Sequence, residues 1–85
     1  MEIIYRKKFK KSFKKQPKKI QDKFFEKIET FQDDQFHHTL NNHALSGEFE
    51  GVRSFDVTGD IRVHYIVVDN VAILLTIDSH SELYS

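Results

Sequence analysis

Residues 49–78 read FEGVRSFDVTGDIRVHYIVVDNVAILLTID. Thr58-Gly59 and Asp69-Asn70 are turn signals. They divide the run into strand-like stretches at residues 49–57, 61–68 and 71–77, rich in β-branched and aromatic side chains. In the middle stretch Ile61, Val63, Tyr65 and Val67 share one side, and Arg62, His64, Ile66 and Val68 share the other. Phe55 and Val57 alternate with Ser54 and Asp56. Ile73, Leu75 and Ile77 alternate with Ala72, Leu74, Thr76 and Asp78. Residues directly opposite in an antiparallel pair lie on the same side of the sheet. Matching apolar to apolar therefore requires an odd-length loop, or a bulge, at each turn. A three-residue loop at 58–60 sets Asp56 opposite Arg62 and Ser54 opposite His64. A three-residue loop at 69–71 sets His64 opposite Thr76 and Arg62 opposite Asp78. A two-residue loop would turn one strand over and bury its polar side. The expected product is an antiparallel meander with one apolar face. Its other face has a polar centre of Ser54, Asp56, Arg62, His64, Thr76 and Asp78. On pattern alone that centre reads first as a solvated face with cross-strand ion pairs.

The N-terminal part supplies a cover for the apolar face. Residues 2–5 form a short β-prone stretch. Phe9 and Phe13 lie one helical turn apart among paired lysines, which predicts a helix over 6–15 with an aromatic stripe and a basic outer surface. Pro17 interrupts it and suits the start of a second helix. There Ile20, Phe24, Ile28 and Phe31, with Phe25 alongside, predict an amphipathic helix over 17–32. The pair forms an αα-hairpin. Residues 33–46 are polar with apolar anchors at Phe36, Leu40 and Leu45, and read as a loop with one helical turn. The expected fold is α+β, in the order β-α-α-β-β-β, with the helix hairpin on one sheet face. No repeat or linker interrupts it, so residues 1–85 read as one domain.

The formal net charge is zero, with 13 basic and 13 acidic residues. The charges are not evenly spread. Residues 1–30 hold eleven cations and four acids, a net +7, and residues 31–85 hold two cations and nine acids, a net −7. This asymmetry points to a polyanionic partner for the helical end. No apolar run approaches the roughly 18 residues of a membrane span. The basic N-terminus is not followed by the apolar region of a secretory signal. Cysteine is absent, which excludes a disulfide framework, a thiol nucleophile and Cys-ligated zinc. A cytoplasmic address is the simplest expectation. The eight Phe residues suit a small core without staples.

The five histidines, His37, His38, His43, His64 and His80, follow no zinc-binding spacing, so no metal or other cofactor is expected. Histidines on a surface that attracts phosphate can cleave RNA without metal. A base takes the ribose 2′-OH proton, the oxygen attacks the adjacent phosphate, and an acid protonates the departing 5′-oxygen. A cation stabilises the phosphorane. His, Asp and Arg on one open face are the right residue types.

From His43 onward the chain resembles the RelE/ParE superfamily of toxin–antitoxin toxins, and most of all its YafQ branch. The matching residues are His43-Ala44-Leu45-Ser46-Gly47, Gly51-Val52-Arg53, the strand from Gly59-Asp60-Ile61-Arg62 to Tyr65, and the terminal Asp78-Ser79-His80-Ser81-Glu82-Leu83-Tyr84. The N-terminal half is similar in layout. The resemblance implies an endoribonuclease that cuts mRNA in the ribosomal A site and is silenced by a cognate antitoxin. It places His80 as general acid, His43 as a second catalytic histidine, and Asp60 as an acidic residue before the third strand. It places Tyr84 to stack on a base or orient the phosphate, and Arg62 on the scissile phosphate. Lys7, Lys10, Lys11, Lys14, Lys15, Lys18 and Arg53 are the expected RNA contacts.

Three positions depart from the family pattern. Asp56 stands where the branch usually carries His, and a carboxylate is a weaker base than imidazole at neutral pH. Ile61 replaces a Trp, removing a stacking surface. Thr76 replaces an Arg, and losing one charge-stabilising donor costs roughly 10²–10³ in rate. These departures keep a second reading open, a non-enzymatic binding protein on the same fold, as in the gyrase-poisoning ParE type. A membrane-surface role fits less well. The basic helix is short, lacks Trp, and its Phe residues are needed by the core.

Overall fold

The computed structural model describes residues 1–84. The chain runs β1 (Glu2–Tyr5), α1 (Lys7–Lys14), α2 (Lys18–Asp33), β2 (His43–Ala44), β3 (Arg53–Asp56), β4 (Ile61–Val68), β5 (Val71–Ser79) and α3 (His80–Leu83). Short 3-10 turns occupy His38–Leu40 and Gly47–Phe49. The sheet order is β1-β5-β4-β3-β2. The expected antiparallel meander holds from β3 to β5; β2, in a stretch read as loop, adds an antiparallel edge on β3, and β1 a parallel edge on β5.

The hairpin helices form where the apolar spacing placed them. Phe9 from α1 and Phe24, Ile28 and Phe31 from α2 are buried with Phe55, Val63, Tyr65 and Ile77 from the sheet and Val57 just beyond β3. Phe9 and Phe24 meet with ring centroids 5.4 Å apart. Phe31 lies 5.0 Å from Phe55 and 5.0 Å from Tyr65. Burying a ring of this size contributes about 1.5–3 kcal/mol, so these phenylalanines supply much of the core. Phe25 turns outward and is 56% exposed.

Register is as expected at the first turn. Asp56 faces Arg62 and Ser54 faces His64 across a 58–60 loop. The second turn is a correction. Asp69 and Asn70 both take positive φ, 50° and 63°, the conformation of a two-residue hairpin turn that matches strand twist. Val68 therefore faces Val71, and the expected three-residue loop at 69–71 is not formed. The phase is restored further along. Tyr65 faces Leu74 but His64 faces Thr76, leaving Leu75 as a bulge. The polar pairs His64–Thr76 and Arg62–Asp78 come out as expected. Beyond the bulge the faces exchange, so Ala72 and Leu74 enter the core and Ile73 and Leu75 are half-buried.

β1 covers only the first half of β5. The exposed edge of the second half is met by α1. Ser12 Oγ donates to Phe9 O at 3.0 Å and accepts from Ile77 N at 3.1 Å. Gln16 Nε2 donates to Ile77 O at 3.4 Å. These side chains satisfy backbone groups that a neighbouring strand would otherwise pair.

Two further differences concern the site. Residues 49–52 curl out of the sheet, where the sequence predicted strand. Gly47 before this segment and Gly51 within it take φ of 66° and 90°, which glycine adopts without steric cost. The chain also ends in α3, a single helical turn that the strand pattern did not predict.

Candidate active site

The polar centre of the sheet is built as two cross-strand rows. His43, Ser54, His64 and Thr76 form one across β2, β3, β4 and β5. Asp56, Arg62 and Asp78 form the next. The face is not the open, solvated surface that alternation suggested. Ser54 is 0% exposed, His64 4% and Thr76 6%. The cover comes from Phe49 and from Tyr84 at the end of α3. Their rings pack on His64 with centroids 5.6 Å and 5.5 Å away, and on each other at 5.4 Å.

Local sequence fixes α3. Ser79 Oγ accepts from Glu82 N at 3.2 Å, and Ser79 N donates to Glu82 Oε1 at 3.3 Å, a capping box. Ser79 Oγ also donates to Glu82 Oε1 at 2.8 Å, and this bond, with that from Ser79 N, holds the Glu82 carboxyl below its ordinary value. His80 N donates to Asp60 O at 2.9 Å. Asp60 thus acts here through its main chain, while its side chain is exposed. His80 and Tyr84, one turn apart, bring their ring centroids to 4.8 Å.

His64 Nε2 and Tyr84 Oη are 3.1 Å apart. Burial pushes the His64 pKa down. His43, Lys8 and Arg62 push it the same way, and Asp78 opposes them. Beside His64 lies a cleft of about 250 Å³, lined among others by Lys8, Thr76, Asp78 and Glu82. Thr76 Oγ1 donates to Asp78 Oδ2 at 2.9 Å.

The expected site residues are brought together unevenly. His80 and Tyr84 converge, and Asp60 meets them through its main-chain carbonyl alone. Arg62 Nε stands 3.4 Å from Asp56 Oδ1, an ion pair by distance without the alignment of a hydrogen bond. Asp56 Oδ2 accepts from Asn41 Nδ2 at 3.3 Å. His43 is on the same face, with β3 between its strand and that of His64. Its Nδ1 lies 2.9 Å from Asn41 O. A carbonyl only accepts, so Nδ1 carries the proton and Nε2 of the neutral ring is left to accept one.

Arg53 lies apart from this group. It faces Tyr65 across the strands, on the helix side of the sheet. Its Nε donates to Asn42 Oδ1 at 2.9 Å and its guanidinium lies 5.2 Å from the Phe36 ring centroid. Asn42 Nδ2 in turn donates to Tyr65 Oη.

The lysines divide by helical position. Lys7, Lys11 and Lys14 form an exposed stripe opposite Phe9 and Phe13. Lys10 and Lys14 also border an apolar hollow of about 290 Å³ between the helices. Lys15 is exposed at the end of α1, and its charge acts on Glu82. Lys18 pairs Asp22 at 3.0 Å, an exposed contact of little energetic weight.

Two site residues were not among the expected contacts. Lys8 shares the cleft side of α1 with Ser12 and Lys15, a spacing visible in the sequence. The sequence places His64 in the polar centre of the sheet without a catalytic role, because nothing in the alternation shows a cover. Among the described residues no three His, Asp or Glu side chains converge to hold a metal ion. None of their helices is long and apolar enough to cross a membrane.

A two-helix hairpin on one face of a five-stranded sheet, with His43 and His64 on the opposite face, is the arrangement of the RelE-like fold. The family model "Bacterial toxin of type II toxin-antitoxin system, YafQ" matches residues 1–85, and the chain belongs to that family. YafQ from E. coli strain BL21(DE3) superposes with a TM-score of 0.83 at 18% identity, covering 99% of this chain and 98% of the other. A YoeB/ParE toxin from Agrobacterium tumefaciens gives 0.79 at 15%, covering 94% and 99%. A chain of the E. coli DinJ–YafQ toxin–antitoxin complex gives 0.76 at 20%, covering 99% and 97%. A search of curated proteins finds no match by sequence.

Proposed function

We propose that this type II toxin is a ribosome-dependent mRNA endoribonuclease that cuts by metal-free acid–base attack of the 2′-OH on the adjacent phosphate. The observation that carries this reading is the seating of His80 and Tyr84 on a capped helical turn against buried His64, at the edge of a face that also holds Arg62 and His43. His80 protonates the leaving 5′-oxygen. Tyr84 stacks on a base or orients the phosphate. Arg62 is held to Asp56 without an aligned hydrogen bond, so it can re-aim toward a phosphate and stabilise the phosphorane. His43, which the family pattern offers, and Asp56, which stands where the branch usually carries His, are the candidate proton acceptors. The basic helices bind rRNA phosphates while the sheet face holds the mRNA.

A cognate antitoxin is the second partner. An extended, partly helical segment laid over the site face would block RNA access. Purified toxin added to programmed ribosomes should shorten a reporter mRNA, and induced expression should arrest growth. His80→Ala should relieve both effects. Intact reporter mRNA with the wild-type chain would exclude the enzyme reading.

The contrasting reading is a non-enzymatic toxin or an antitoxin-binding protein. Two observations favour it: Arg62 is paired with Asp56, and Thr76 occupies a position where the family carries arginine. Growth arrest with intact mRNA and inhibited DNA supercoiling by gyrase would select it.

A further inference from the structure

We propose that Tyr84 and His64 form a proton relay, in which Tyr84 Oη takes the 2′-OH proton as its own proton passes to His64 Nε2. This rests on the ribonuclease reading and identifies a proton acceptor beyond His43 and Asp56. The geometry assigns it. The phenol and the imidazole nitrogen are 3.1 Å apart. His64 is 4% exposed, whereas Tyr84 is 37% exposed, so Tyr84 is the member of the pair nearer to solvent and substrate. Tyr84 and the general acid His80 sit on the same helical turn with ring centroids 4.8 Å apart. That spacing lets one phosphodiester meet both polar tips. His43, by contrast, has β3 between it and His64, and Asp56 is engaged by Arg62 and Asn41.

The step balances without a co-reactant. The 2′-O–H bond breaks and its electron pair forms the new O–P bond. The proton moves to Tyr84 Oη, and the phenolic proton moves to His64 Nε2. The P–O5′ bond then breaks, and His80 supplies a proton to the departing oxygen. His64 must be a neutral acceptor for this. Its burial, with His43 on β2, Lys8 on α1 and Arg62 on β4, favours the neutral ring, against Asp78 on β5. Glu82 on α3 lines the cleft beside it, with its carboxylate bound by Ser79. As a neutral acceptor, His64 carries its proton on Nδ1.

His64 acts through Tyr84, so it is a positioning residue whose basicity matters. His64→Gln keeps a side chain able to accept the phenolic hydrogen bond but unable to take up a proton. Single-turnover cleavage on ribosomes should fall about 10²–10⁴-fold, the usual weight of general acid–base catalysis. The acidic limb of the wild-type pH–rate profile should vanish. Tyr84→Phe should cost a similar factor, and the double variant should lose little more. A folded His64→Gln variant that keeps the wild-type rate, or keeps the acidic limb while His43→Gln loses it, overturns the relay. Nitrogen NMR of the imidazoles at pH 7 tests it without activity. An unprotonated Nε2 on His64 is expected, and a protonated Nε2 overturns the relay. Failure of wild-type cleavage would instead overturn the ribonuclease reading.

Discussion

Burial of His64 couples stability to pH. Its folded pKa lies below the ordinary value of 6.5, so on acidification the unfolded chain takes up the proton first. The stabilisation is complete above about pH 6.5 and is lost as pH falls through that value toward the lower folded one. Glu82, also held low, acts in a separate window below its ordinary value of 4.5. Urea unfolding should therefore show a lower midpoint at pH 5.5 than at pH 7.5, and His64→Gln should shrink that difference. An equal pH dependence in both proteins would place the cause elsewhere. Arg62 makes a second case. Its ion pair with Asp56 is mostly shielded, with side chains 22% and 19% exposed. Arg62→Gln leaves the shielded Asp56 Oδ1 without its cation and should cost about 1–3 kcal/mol in stability, with a larger effect, roughly 10²–10³-fold, in cleavage. Activity and stability measured together separate the two roles. His80, Arg62 and Asp56 were legible as candidates because each sits in a motif or a register. His64 was not, because the same alternation describes a solvated histidine and a covered one. The cover, Phe49 and Tyr84, comes from outside the meander.

At the scale of elements, two serines hold the site together. Ser12 fastens α1 to the β5 edge by accepting from Ile77 N. Removing its hydroxyl leaves a buried N–H unpaired, at about 1–3 kcal/mol. Ser12→Ala should lower Tm by roughly 4–8 °C per kcal/mol lost in a domain of this size. A change within error would show that water replaces the hydroxyl. Ser79 caps α3. Ser79→Ala should cost about 1 kcal/mol and should lower cleavage more than stability, because His80 and Tyr84 lose their seat. The long amphipathic helices and β4 were readable because their periodicity runs over many residues. β2 and α3, of two and four residues, are too short to carry a period. The bulge at Leu75 was hidden for a different reason. With leucine at both 74 and 75, either phase of β5 offers an apolar residue to the core, and the Asp69-Asn70 turn decides between them.

At the scale of the whole molecule, the zero net charge conceals a division that the fold preserves. The basic excess lies in the N-terminal β1–α1–α2 segment and the acidic excess in the remainder. An approaching polyanion responds to the local field, so the basic helices can steer binding despite the balanced total. Lys7, Lys11 and Lys14 form the stripe of α1 opposite its buried phenylalanines, a surface suited to RNA phosphates. Replacing all three with Gln leaves the core untouched and should change stability only within the narrow range of surface substitutions. Each lost phosphate contact lowers the slope of log affinity against log salt by about 0.7–0.9. The triple variant should therefore bind ribosomes more weakly at low salt, with a slope shallower by roughly 2–3 if all three lysines touch phosphate. Affinity measured at several salt concentrations gives both quantities. A weaker complex with the wild-type slope would mean that these lysines contribute something other than phosphate contacts. An unchanged affinity and slope would place the ribosome on another face of the toxin.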